Sequence, residues 1–504
     1  MKLVYRSNGP LFLLIIIMGI ALSGCATTDR YTYSGIHAEY AGSQLPAHGD
    51  TAEFQPQTNH ESADVISAFA LENPLTIEEV LTISLKNNPD LNQAHFRILQ
   101  ARAMTDLSNA AFWPAFGFYT EYMQGDAPSS YLFKTIDQRK LPQDVNFNDP
   151  GWFENYETGL NARMNLFNSG KDYLALQMAK KDEMIANLDR RTLENELIAQ
   201  VISTFYDTLA ALELIEIARE SVGTVSEQFR IMRVRFEGGG ALKSDVLSLE
   251  VRLAQAKEEL LSAENHYELK LTALSNLMGL DPALLNERRD ILEKSFLETP
   301  SVPDNYTDGV ILALENRPEL ARVRQQLIQS RIGLDSARTG YLPRLDLMAK
   351  YYVADPTMKY NTDRENWIAA LMFNWDFFNG FATPAAARKA EAMVKEMLEA
   401  DRHAVMSIRT DVKTAYLKLQ EAQARYQVAV STVDSAEESL RLVKNHYLGG
   451  SVPVTRFLEA ELDLNRARIR SAAAYYDQVK GSSEITRAIG LWSSQTIFPE
   501  QMTP

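Results

Sequence analysis

The constraint that rules this chain is that it repeats itself over most of its length. Asn88-Pro-Asp-Leu91 opens a segment that reads on through Gln100, Arg102 and Asp106 to Pro114. Arg317-Pro-Glu-Leu320 opens another that reads on through Gln329, Arg331 and Asp335 to Pro343, at a steady offset of 229 residues. Further on, Phe236-Glu-Gly-Gly-Gly240 is answered by Tyr447-Leu-Gly-Gly-Ser451, and Gly279-Leu280 by Gly490-Leu491, now at an offset of 211. A chain of 504 residues would ordinarily suggest several domains, but a duplication this large makes one body of two halves.

The first residues stand outside that repeat. Lys2 and Arg6 precede the apolar run Leu11 to Leu22, too short for a comfortable membrane span, which ends at Leu22-Ser-Gly-Cys25. This resembles a bacterial lipoprotein signal, so residues 1–24 are expected to be cleaved and Cys25 to carry the lipid. Cys25 is the only cysteine, which excludes an intramolecular disulfide and leaves stability to packing. Ala26, where an aspartate tends to hold enteric lipoproteins in the inner membrane, favours the outer one. The formal charge is −15, and about −17 once Lys2 and Arg6 are lost, which argues against nucleic acid as a partner. Residues 25–72 are polar, with scattered Gly and Pro, and read as an extended arm; His37, His48 and His60 lie in it at spacings that suit no standard metal site.

From residue 73 the pattern becomes periodic. Thr76 with Glu79 forms a capping-box signature, and helical spacing runs on to about Phe112, which predicts one helix of about 36 residues. No proline interrupts residues 151–281, and Leu193, Leu197, Val201, Phe205, Leu209 and Leu212 mark an apolar stripe. A helix from about Asn168 to Phe236 would span about 100 Å, the dimension of a coiled coil rather than of a globular core. Asp245 to about Met278 supplies a shorter helix, and the second copy repeats the series over about 308–340, 384–447 and 454–489. The first repeat is thus placed at 73–290, the second at 291–493, and a tail at 494–504.

Between the helices the period changes to two. Leu345, Leu347, Ala349, Tyr351 and Val353 alternate with Arg344, Asp346, Met348, Lys350 and Tyr352, which is period two with one apolar face. Trp367, Ala369, Leu371, Phe373 and Trp375 alternate with Ile368, Ala370, Met372, Asn374 and Asp376, and, in the first copy, Thr158, Leu160, Ala162, Met164 and Leu166 alternate with Glu157, Gly159, Asn161, Arg163 and Asn165. Each copy therefore carries a hairpin of strands, about 114–124 with 155–167 and about 343–354 with 366–377, of a length that crosses a bilayer when tilted. A small soluble sheet would show the same alternation. The aromatic residues near strand ends (Trp113, Tyr122, Trp152, Trp367, Trp375) and the lipoprotein signal favour the membrane. Four strands cannot close a barrel and open edges are not tolerated in lipid, so several copies would each have to contribute four. The first loop, about Gly125 to Phe153, is the longer by 19 residues, as suits an external loop.

Helix, strand hairpin, very long helix, Gly turn and helix, written twice behind a lipoprotein signal, resembles the TolC family of outer-membrane channel proteins. The echoes are Pro74-Leu-Thr-Ile-Glu-Glu79 with Asn88-Pro-Asp-Leu91, the helix-ending Pro114 and Pro343, Leu166-Phe-Asn-Ser-Gly170 with Trp375-Asp-Phe-Phe-Asn-Gly380, and the tips before Asp245-Val-Leu and Phe457-Leu-Glu-Ala460. The resemblance covers about residues 73–493. It implies a mainly α fold with a small transmembrane β part, in a homotrimer whose twelve strands form one barrel above a hollow helical cylinder. It also implies a periplasmic adaptor and an inner-membrane pump as partners, the proton-driven RND type favoured and the ATP-driven ABC type open. Neither a cofactor nor a metal is implied.

The family's gate, carried over residue by residue, falls on Tyr447 and Asp245, as a phenol-to-carboxylate bond between neighbouring helix pairs. Val452 stands where the family has a locking arginine, and Arg456 with Glu459 where it has a carboxylate ring. Such a mixed ring can pair internally at (i, i+3) spacing. On the residues alone, Asp245 is equally an acidic group suited to a helix N-terminus, and Arg456 with Glu459 an exposed helical pair. The tips, Gly239, Gly240, Ala241, Leu242, Lys243 and Ser244 with Gly450, Ser451 and Val452, correspond to the adaptor-docking surface, or are plain helix–helix turns.

Two other functions compete. Against an enzyme, His95, His266, His403 and His446 are scattered, and neither a phosphate-binding Gly loop nor a Gly-x-Ser-x-Gly elbow occurs. A lipid-anchored coiled-coil structural or adaptor protein without a pore remains open. The reading adopted is a passive exit channel, for small-molecule efflux ahead of a type I protein-secretion duct.

Overall fold

A computed structural model describes residues 74–286, 291–360 and 362–497. The lipoprotein signal, Cys25 and the arm lie outside the described residues. The first repeat runs α1 (Ile77–Asn87), α2 (Pro89–Asn109), β1 (Ala115–Gly125), α3 (Pro128–Asp137), β2 (Phe153–Phe167), α4 (Lys171–Glu237), α5 (Lys243–Met278) and the short α6 (Ala283–Asn286). The second runs α7 (Tyr306–Asn316), α8 (Pro318–Arg338), β3 (Arg344–Asp355), β4 (Glu365–Asn374), α9 (Ala382–Leu448) and α10 (Val454–Ile489), and a short α11 (Ser494–Ile497) follows.

The helix expected as one piece up to Phe112 is two. Thr76 and Glu79 form the capping box that starts α1, Glu79 N–H donating to Thr76 Oγ1 and Thr76 N–H to Glu79 Oε2. At Asn88 the chain leaves helical dihedrals, because Pro89 disfavours them in the residue before it, and the Asn88 side chain then caps α2. The break serves packing as well: Asn88 Nδ2 donates to Leu277 O at 3.0 Å, tying α1–α2 to the end of α5.

The second repeat makes the same joint with another residue. Arg317 stands where Asn88 does, and its Nη1 donates to Ala488 O, the counterpart of Leu277 O. Gly279 and Gly490 end α5 and α10 in left-handed conformation, φ 67° and 84°. A Cβ on Gly279 would lie 2.5 Å from Asn87 O, so glycine is needed there on both counts.

The two long helices, α4 and α9, have 67 residues each, and their return helices, α5 and α10, 36 each. At 1.5 Å per residue the long ones reach about 100 Å. Helix α4 packs on α5, α2, α8 and α10, and α9 on α10, α8 and α7. Among the described residues α4 is also long and apolar enough to cross a membrane, but Ile198, Val201, Ile202, Phe205 and Tyr206 of its apolar stretch are buried in the helical layer.

The four strands form one antiparallel sheet in the order β1-β2-β3-β4, so the hairpins of the two repeats meet along β2 and β3.

Candidate functional site

The register of the sheet sorts its side chains. Phe118, Leu160, Tyr351 and Trp367 stand across from one another on one face, as do Phe116, Ala162, Ala349 and Ala369 one step along. Tyr119, Gly159, Tyr352 and Asn366 stand on the other, with Glu157, Asn161, Arg163, Asp346 and Lys350. The first face is apolar from edge to edge and bare: Phe116 is 78% exposed, Trp367 75% and Phe118 71%. Contiguous exposure of this kind belongs against lipid or a partner. Strands β1 and β4 each pair on one side only, which leaves two open edges.

At the far end of the long helices the Gly turns reverse the chain. Gly239 and Gly450 take φ 75° and 77°, and Gly240 N–H and Ser451 N–H close the helix ends on Arg235 O and His446 O, at 2.8 and 2.9 Å. Between the two turns lies an apolar cluster of Val225, Met232, Leu249, Tyr447, Val454 and Phe457, against which Ala241, Val246 and Val452 pack. Tyr447 is buried, its ring stacked on Phe457 with centroids 5.3 Å apart. Gly239, Gly240, Leu242, Lys243, Ser244, Gly450 and Ser451 are exposed.

Asp245 sits half-buried in the first turn of α5. Burial pushes the Tyr447 phenol up, and the Asp245 charge adds to this against the opposing Arg235. The carboxylate is thus near enough to be felt, but among the described residues no hydrogen bond joins it to the phenol, whose ring is turned into the apolar cluster. Arg456 and Glu459 form the (i, i+3) ion pair, Nη1 to Oε2 3.1 Å, with both side chains exposed.

Sequence reasoning missed a buried polar knot just above this cluster. Arg252 donates through Nε and Nη2 to Glu461 Oε2, at 3.2 and 3.1 Å, while Ser221 Oγ donates to Glu461 Oε1 at 2.6 Å. Arg252 also reaches Glu259, and Asn465 reaches Glu461. With Arg252 and Glu461 both buried, this pair bolts α4 and α5 to α10. The signal was available: Arg252 lies between Leu249 and Ala256, and Glu461 between Phe457 and Leu464, each a charge at a core-facing helical position. Among the described residues, no three His, Cys, Asp or Glu side chains come together as a metal site would require.

The family model described as "Outer membrane efflux protein" matches residues 80–280 and 310–491, one stretch in each repeat. The chain belongs to that family. It is an outer-membrane exit channel and not an enzyme. Among relatives, it is 26% identical to the alkaline protease secretion protein AprF of Pseudomonas aeruginosa, over 78% of this chain and 80% of that one. It is 22% identical to the pyoverdine export outer membrane protein OpmQ of Pseudomonas putida, over 95% and 97%. Among solved structures, the Campylobacter jejuni CmeC outer membrane channel superposes with a TM-score of 0.71 at 19% identity, over 83% of this chain and 86% of that one.

Proposed function

We propose that three copies of this chain close their twelve strands into one barrel, continued by their helices as a periplasmic conduit. A periplasmic adaptor coupled to an inner-membrane pump would open it. The observation that carries the reading is the sheet: an apolar face bare from β1 to β4 with both edges unpaired has no stable place in water, and in lipid none until the edges are closed. Lipid attached at Cys25 would add a second hold on the membrane.

The gate is assigned to the apolar cluster at the tips. Val225, Met232 and Leu249 of the first helix hairpin pack against Tyr447, Val454 and Phe457 of the second and so hold the two together, with Asp245 beside Tyr447 and Val452 in place of a charged lock. Arg456 and Glu459 neutralise each other, which weakens the cation-selective field that a ring of carboxylates alone would give. The exposed residues of the tips, Gly239, Gly240, Leu242, Lys243 and Ser244 with Gly450 and Ser451, form the docking surface for the adaptor, with Ala241 and Val452 half-buried beneath them.

Small solutes are the proposed cargo, driven by a proton-coupled RND pump. The relation to the pyoverdine exporter spans nearly the whole of both chains, whereas that to the protease-secretion protein leaves about a fifth of each unmatched. Protein secretion through an ABC pump is the second reading, favoured by the higher identity to AprF. A photo-crosslinking amino acid at Lys243 separates them in living cells. Capture of the adaptor of a proton-driven pump is the expected result; capture of an ATP-driven exporter's adaptor would move the assignment to protein secretion, and capture of outer-membrane components alone would overturn the tip assignment.

A further inference from the structure

The longer external loop contains a helix, and that helix does not point away from the sheet. Helix α3 lies against the polar face of β2 and β3. Lys134 Nζ meets Glu157 Oε2 at 2.8 Å, Tyr352 OH donates to Asp137 Oδ2 at 3.1 Å, and Gln138 Nε2 donates to Asn155 Oδ1 at 2.9 Å and to Glu154 O at 2.7 Å. Asn366 Nδ2 adds a bond to Asp137 O at 3.2 Å, so strands from both repeats hold the helix.

Beneath it the contacts continue as one cluster. Lys350 Nζ meets Glu157 Oε1 at 2.5 Å and lies over the rings of Tyr119 and Tyr352, 4.8 and 4.6 Å from their centroids; Tyr119 OH donates to Glu157 at 2.8 Å. Glu157 is left only 1% exposed, on the face that a barrel turns toward its water-filled interior.

From this geometry we infer that α3 is an inward-folded constriction at the outer mouth of the channel, and that it sets the size of cargo that leaves. The inference rests on the trimeric barrel proposed above. Twelve strands about 4.8 Å apart and tilted by about 40° make a ring about 75 Å around and about 24 Å across. Three helices each about 10 Å wide need a circle of about 22 Å, so three copies of α3 nearly fill the mouth. Glu157 lies four residues from the outer end of β2, which at that tilt seats the helix about 10 Å into the barrel. Ions and small solutes pass between three such helices; a polypeptide or a bulky solute passes only when Lys134 leaves Glu157 and α3 swings out.

The test reads the outer mouth and is independent of the periplasmic gate. Arg163 lies on the same polar face, six residues beyond Glu157 and so about 15 Å deeper, and it is exposed. Arg163→Cys is labelled on intact cells with a small membrane-impermeant maleimide and with one bearing a long polyethylene glycol chain. Asp126→Cys, outside the mouth, serves as the reference, and the chain with Cys25 alone as the background. The large reagent is expected to react with Arg163→Cys on the order of tenfold more slowly, relative to the small one, than with Asp126→Cys. Two changes are expected to abolish that difference: Lys134→Ala with Gln138→Ala, or replacement of residues 127–150 by a short Gly-Ser turn. Migration as a trimer without heating shows that each variant has assembled; a chain that never forms a trimer refutes the barrel itself. Equal labelling of both sites by the large reagent in an assembled trimer, or size discrimination that survives both changes, overturns the constriction.

Discussion

Helices α4 and α9 are the same element made twice, equal in length and equivalent in the repeat, yet they live in different surroundings. Helix α4 buries Ile198, Ile202 and Phe205; at the matching places α9 has Arg409 and Lys413, both exposed, and the half-buried Tyr416, whose hydroxyl bonds to Pro303 O. Helix α9 instead shows Met393, Leu398, Met406, Leu417 and Val428 at its surface. The return helices differ likewise: Glu461 of α10 is buried on Arg252, while its counterpart in α5, Glu250, is exposed. Duplication copied the backbone, and neighbours then decided which face of each copy is core. Helix α4 has helices on both sides within the chain, and α9 leaves an apolar face exposed, the face that the proposed trimer would cover.

The largest effects fall where the copies differ most. Phe205→Ala is expected to lower stability by about 3–5 kcal/mol through the cavity it leaves, whereas Arg409→Ala changes it by less than about 0.5 kcal/mol; thermal unfolding in detergent measures both. Equal losses would erase the distinction between inner and outer long helices. Glu461→Ala takes the buried carboxylate from Arg252 and leaves it only the half-exposed Glu259, a cost of about 3 kcal/mol, and Glu250→Ala is expected to be silent by the same measurement.

A smaller effect separates the hinge from the tip. Gly279→Ala meets both a left-handed backbone and the Asn87 carbonyl, and is expected to cost about 2–3 kcal/mol; Gly239→Ala, with open space around it, carries only the backbone strain of about 1 kcal/mol. Denaturant titration distinguishes them, and a larger loss at Gly239 would show that the tip is more tightly built than its surroundings indicate.

The smallest effect is set by pH. Burial works to raise the Asp411 carboxyl, but hydrogen bonds and charge from Arg487 and Arg317 outweigh it and hold the group below the ordinary carboxylate value. The folded value being the lower, this contribution is present above the ordinary range near pH 4 and is lost as pH falls through the folded value. Asp411→Asn should therefore flatten the acid limb of the stability profile, and an unchanged limb would mean that the pair contributes nothing. Asp207 of α4, held down by Lys480 and Lys270 against its own burial, predicts the same shape.

Much of this architecture was legible because duplication and periodicity are written along the chain. Offsets shared by the Gly turns fixed α4 and α9 as equals, and alternation at Leu345–Val353 and Trp367–Phe373 gave strands whose apolar face the register bears out. The joint at Asn88 was missed although Asn-Pro is itself a start signal, because helical spacing runs through it. Helix α3 was not visible, since ten residues inside a proline-bearing loop carry too little period to declare a helix, and the partners that seat it come from β2, β3 and β4. At the tip, resemblance pointed to Tyr447 and Asp245, but the direction of the phenol ring depends on Phe457 across the turn. That is a packing fact, which spacing does not encode.

Native mass spectrometry of the protein with Cys25→Ser tests the central claim most directly, because it removes the lipid and leaves the sheet to act alone. With the strands closed into a shared barrel, the variant still requires detergent and flies as a complex of three chains. A single chain, stable in buffer without detergent, would contradict it and return the protein to the pore-less coiled coils.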